Sequence, residues 1–127
     1  MPERAIRIEA NGVRLYAILA ATPTAGAVWD ALPIEGRARL GGREIQLDVA
    51  LACAPEPQAS AEVKPGDLGF RPAGRAIALF FGPPPAGRGE GPAATSPVNV
   101  FGRITGDASR LARVPDGARV RLTALEG

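Results

Sequence analysis

Apolar and polar residues alternate over short runs punctuated by Gly and Pro, the pattern of a mostly antiparallel β protein. Ile6 and Ile8 alternate with Arg7 and Glu9. Asn11-Gly12 then supplies a two-residue hairpin turn, and Val13, Leu15, Ala17 and Leu19 resume on one face. After Gly41-Gly42, Ile45, Leu47, Val49 and Leu51 repeat the alternation, with Glu44, Gln46 and Asp48 opposite; Arg37 to Leu40 supplies the preceding strand of a second hairpin. Between Lys64 and Gly82 the chain reads strand, turn at Pro72-Ala73-Gly74, strand. In the second of these strands Ile77, Leu79 and Phe81 point one way, and Ala76, Ala78 and Phe80 the other. Both faces are apolar, so both must be covered or line a groove. Pro97 to Ile104 and Ala118 to Leu125 complete the strands, the latter with Val120 and Leu122 inward.

Two segments leave the β pattern. From Thr24 to Leu32, Ala25, Val28, Trp29 and Leu32 share one helical face, with Thr24 as the cap and Pro33 as the stop. Trp29 is read as a core anchor worth about 2 to 3 kcal/mol of apolar burial. Asp107 to Val114 makes a second, shorter helix with Leu111 and Val114 inward. The Pro- and Gly-rich stretch 83–96 is expected to be a loop, and its glycines lack the Lys-Ser or Lys-Thr that a phosphate loop needs. The count of about eight strands and two helices suits a small closed barrel in one domain over 1–127, whose lack of free edges favours a monomer or weak homodimer.

Composition narrows the chemistry. The 127 residues contain no histidine, which rules out Ser-His-Asp and Cys-His nucleophilic sites and histidine-ligated metal centres. The single cysteine, Cys53, lies in an apolar run and is expected to be buried and inert. Fifteen cations against 13 anions leave a net charge of +2, and fourteen of the cations are arginine. Arg119 and Arg121 share a strand face without interleaved aromatics, so they read as a solvated face and no nucleic-acid partner is expected. The charged start, Glu3 to Arg7, and the absence of an apolar run near the ~18 residues that span a bilayer point to a cytoplasmic protein with no membrane partner.

Gly66-Asp67-Leu68-Gly69-Phe70-Arg71-Pro72-Ala73-Gly74-Arg75-Ala76, running into Leu79-Phe80-Phe81-Gly82 and followed by Ser96-Pro97-Val98-Asn99-Val100-Phe101-Gly102-Arg103-Ile104, resembles the small bacterial and archaeal cyclophilin-like proteins of unknown function, typified by a Thermotoga protein. The resemblance runs over nearly the whole chain and implies a mainly β, cyclophilin-like closed eight-stranded β-barrel with two short helices. Cyclophilins proper are peptidyl-prolyl isomerases. Against their active-site set, Phe80 stands near the place of a central-strand Phe and Arg37 or Arg39 near that of the arginine, whereas the Trp and His are missing. Isomerisation needs no nucleophile: a guanidinium donating to the prolyl amide nitrogen in a dry pocket weakens the resonance behind a barrier of about 20 kcal/mol.

Other constellations do not assemble. Glu44 and Asp48 share a strand face but stand about 13 Å apart at roughly 3.3 Å per residue, too far for paired-carboxylate glycoside chemistry, and read as a solvated face. Asp67, flanked by Gly66 and Gly69, reads equally as a residue that bonds a turn backbone and as an acid or base. No metal or cofactor is expected. The expected function is a non-catalytic domain binding a small molecule, peptide or protein partner, with weak prolyl isomerisation as one alternative. Service as an accessory subunit of an amide-hydrolysing assembly is another. The pocket wall that the two resemblance motifs imply is Phe70, Arg71, Phe80, Phe81, Asn99 and Arg103, a set consistent with apolar walls plus a few polar groups.

Overall fold

The computed structural model describes residues 4–82 and 93–125. Strands β1 (Ala5–Ala10) and β2 (Val13–Leu19) form the expected hairpin, with Asn11 at φ 47° and Gly12 at φ 82°. That pair of left-handed residues matches the turn twist to the strands, which is why Asn-Gly marks it. Helix α1 (Pro23–Ala31) follows, then β3 (Ile34–Arg37), β4 (Arg39–Gly41), β5 (Glu44–Asp48), β6 (Ser60–Glu62), β7 (Asp67–Arg71), β8 (Ala76–Phe80) and β9 (Ala93–Ile104). A 3-10 helix (Ala108–Arg113) and β10 (Arg119–Leu125) end the described chain.

The helix starts earlier than its apolar spacing suggests. Thr22, not Thr24, is the cap: its hydroxyl accepts from Ala25 N at 3.1 Å, and Pro23 takes the first helical position, where no N–H is needed. Thr24 is freed for another task described below. The second helix is a 3-10 helix capped, as expected, by Asp107, whose hydrogen bonds with Ser109 hold its carboxyl below the usual carboxylate range.

Among the described residues, ten strands form one antiparallel network in the order β3-β10-β1-β2-β9-β7-β8-β5-β4, with β6 attached to β9. Among these residues the ladder does not close, which corrects the expected closed barrel of eight strands. Its two end strands, β3 and β4, follow one another along the chain with Ala38 alone between them, so they cannot lie side by side and exchange hydrogen bonds. At Ala38 the chain passes from pairing with β10 to pairing with β5, and Ala38 itself bonds Ala118 O and Gly117 N at 2.7 Å each. β4 and β5 form the second expected hairpin; the two extra strands, β3 and β6, escape the hydrophobic pattern because they are four and three residues long and carry little alternation.

Inward side chains of β1, β2, β5, β7, β8 and β10 fill the main core with Val28 of α1 and Leu111 of the 3-10 helix. On β8, Ile77 and Leu79 enter this core while Ala78 and Phe80 face outward into a second cluster with Val63 and Val98. Gly69 makes that cluster possible, since a Cβ there would stand 2.9 Å from Val98 Cγ2. Strand β9 begins at Ala93, so 93–96 is strand rather than loop; the rest of the expected loop, 83–92, lies outside the described residues. Among the described residues no helix is long and apolar enough to cross a membrane.

Candidate ligand-binding face

Ladder partners share a sheet face, so the register places the outward side chains of β4, β5, β8 and β7 on one surface. Arg39 pairs with Gln46 and Gln46 with Ala78, which pairs with Gly69; Glu44 pairs with Phe80, and Asp48 with Ala76, which pairs with Arg71. The middle of this surface, at Gly69, Ala76 and Ala78, carries no side chain larger than a methyl. Arg71 and Glu44, from opposite corners, reach across this low floor and meet, with Arg71 Nη2 at 3.2 Å from Glu44 Oε2 and 3.4 Å from Oε1. Each residue is 6% exposed. Glu44 is therefore a buried partner and not part of a solvated face, a correction that alternation alone could not supply: it marks which way a residue points, not what lies over it.

The Arg71 guanidinium is incompletely matched. Its Nε and Nη1 are buried and have no hydrogen-bond partner among the described residues. Beside the pair, Arg39 Nη2 lies 3.5 Å from Gln46 Oε1 and is bonded to Asp48. Arg37, two residues before it, lies on the β10 side of the Ala38 joint and donates to Gly117 O at 3.2 Å. Of the two arginines expected near the pocket, Arg39 is thus the one on this face.

The six expected wall residues do not converge. Phe70 and Phe81 belong to the main core, Phe80 to the outer apolar cluster, and Arg71 to the ion pair. Asn99 is fully buried near the start of α1: its Nδ2 donates to Thr24 Oγ1 at 3.0 Å and Ala54 O at 2.9 Å, and its Oδ1 accepts from Glu56 N at 2.9 Å. Glu56 in turn accepts from Thr24 N at 2.9 Å and from the Thr24 hydroxyl. Every polar atom of the Asn99 amide is engaged, so it is a clasp between β9, α1 and the 54–56 segment. Cys53, half-buried beside it, has its thiol pKa pushed up by burial, opposed by a hydrogen bond with Thr24 and assisted by the Glu56 charge.

Arg103 is exposed on β9, opposite Asp67, and lines a separate shallow groove of about 520 Å³ with Lys64, Ile18, Leu19 and Val100. Asp67 there accepts from Lys64 N at 2.8 Å, the first of the two roles read for it. Among the described residues, no three His, Cys, Asp or Glu side chains gather as a metal site would require.

The cyclophilin-like family model matches residues 4–123. The chain belongs to the cyclophilin-like family. The hypothetical protein AF2241 from Archaeoglobus fulgidus, known from a solution structure, is 32% identical, with 97% of this chain and 95% of that one covered and a TM-score of 0.79. McbB, solved in complex with tryptophan, has the same fold at 17% identity and a TM-score of 0.72; 93% of this chain matches 44% of that one. No match is found among curated proteins. Family membership accounts for the β-rich fold and the two helices, and the resemblance, not the strand alternation, is what singled out Arg39, Arg71 and Phe80 in the sequence. The sequence offered no signal for the Glu44–Arg71 contact, which joins residues on non-adjacent strands.

Proposed function

We propose that this cyclophilin-like chain is a binding domain without chemistry of its own, and that its ligand, a small molecule or a peptide, lies on the outer face of β4, β5, β8 and β7. The observation that carries this reading is the Arg71 guanidinium, held at 6% exposure with Nε and Nη1 unmatched among the described residues. A buried donor without an acceptor costs about 1 to 3 kcal/mol, which a ligand acceptor would recover on binding. McbB, a longer chain containing this fold, was solved with tryptophan, which is compatible with a small-molecule ligand.

The test is a nitrogen–proton correlation spectrum that resolves the arginine Nε–H signals, recorded with acetylated, amidated tetrapeptides and with small apolar acids and amides at millimolar concentration. Compounds that shift the Arg71 signal and lose affinity on Arg71→Lys support the reading. Compounds that shift only Arg103 and its groove overturn it.

Prolyl isomerisation is the second reading, supported by the position of Arg39 beside Gln46 on this same face. It requires that a proline test peptide isomerise faster with the protein, that Arg39→Ala abolish the acceleration and that Arg37→Ala retain it. An unaltered rate with the wild-type protein ends this reading. Phe80→Ala is a poor probe here, because Phe80 is 1% exposed and its loss opens the second core.

A further inference from the structure

Arg71 and Glu44 together carry no net charge, and both lie where water has little access. The Glu44 carboxylate occupies Nη2 alone and leaves Nε and Nη1 as donors whose positive charge is already balanced. A ligand arriving at those donors is chosen by two opposing effects. Unmatched N–H groups favour any acceptor, charged or not. A second carboxylate, however, would make the buried cluster net negative, and desolvating an uncompensated charge costs several kcal/mol. A neutral carbonyl gains the hydrogen bonds and escapes that cost.

Resting on the reading that a ligand binds at this face, we infer that the site selects a neutral carbonyl acceptor, such as an amide, over a carboxylate, and that Glu44 is the residue setting that preference. Without Glu44 the same guanidinium would be an ordinary anion receptor. Glu44 acts here through Arg71 as a specificity-determining residue that need not touch the ligand.

The experiment compares N-acetylleucine amide with N-acetylleucine, read through the Arg71 Nε–H signal in the wild-type protein and in Glu44→Gln. The amide is expected to bind the wild type at least about tenfold more tightly, and Glu44→Gln to reverse the order. A carboxylate that binds the wild type as tightly as the amide, or an order unchanged in Glu44→Gln, overturns the inference while leaving the binding face standing. Silence of the Arg71 signal toward both probes in both proteins overturns the binding reading and the inference with it. The wild-type comparison needs no variant, so it decides the selectivity even if Glu44→Gln fails to fold.

Discussion

Asn99 on β9 donates from Nδ2 to the hydroxyl of Thr24 on α1 at 3.0 Å, across 75 positions of sequence, and both residues are at most 1% exposed. With Ala54 O and Glu56 N also bound to the same amide, one side chain fastens a helix start and an irregular segment to the sheet.

Asn99→Leu keeps the branched shape but removes three hydrogen bonds, with the buried Thr24 hydroxyl and with Ala54 O and Glu56 N, each worth about 0.5 to 1.5 kcal/mol. A loss of about 1.5 to 4.5 kcal/mol is expected, read as a lower urea midpoint at unchanged slope. A loss below about 1 kcal/mol would show that the clasp is solvated in solution.

Gly69 is held to its residue type by packing and not by backbone angle. A methyl group there would meet Val98 Cγ2 at 2.9 Å and Phe80 Cε2 at 3.4 Å. Gly69→Ala should cost about 1 to 3 kcal/mol through overpacking. Adding Val98→Ala should return part of that loss, a non-additivity that independent sites would not show.

The Arg71–Glu44 pair yields a cycle with an unusual shape. Arg71→Met or Glu44→Leu alone leaves a buried charge unpaired, at about 3 to 5 kcal/mol. The double variant removes both charges and is expected within about 1 kcal/mol of the wild type, because an apolar replacement of both partners is often neutral. Losses that simply add would show that the pair is hydrated.

Cys53 should alkylate slowly. Its thiol pKa is raised, so at any pH below that value less thiolate is present than in an unfolded chain, and the thiolate is the nucleophile. Iodoacetamide labelling of the folded protein should lag the urea-unfolded protein near pH 8 and catch up as pH rises through the folded value. Glu56→Gln removes the opposing charge and should shift the profile toward lower pH. Equal rates for folded and unfolded protein near pH 8 would contradict the arrangement.

Much of the fold was legible because it rests on local chemistry. Asn11-Gly12 needs two left-handed residues, the β7–β8 pair brackets a Pro-Ala-Gly turn, and Val120 and Leu122 alternate inward as read. The helix boundary was misplaced by two capping candidates two residues apart. Thr22 took the cap because Pro23 suits the first turn, and Thr24 was claimed by Asn99, a partner 75 positions away. The site was harder to read. That Phe70 and Phe80 stand on opposite faces follows from register across β7 and β8, and that Glu44 is buried follows from an arginine two strands away. Neither relationship leaves a mark on a single stretch of sequence.

Ala5 pairs with Leu125 across β1 and β10, so the first and last strands are neighbours in the sheet and not its edges. Ala5 and Leu125 therefore lie about one strand spacing apart, near 5 Å. A host polypeptide could carry the unit 5–125 between two of its own segments with almost no separation at the joints, and residues 5 and 125 could be bridged and the strands reopened at the Asn11-Gly12 turn without altering a single ladder. In that sense the fold has no preferred beginning.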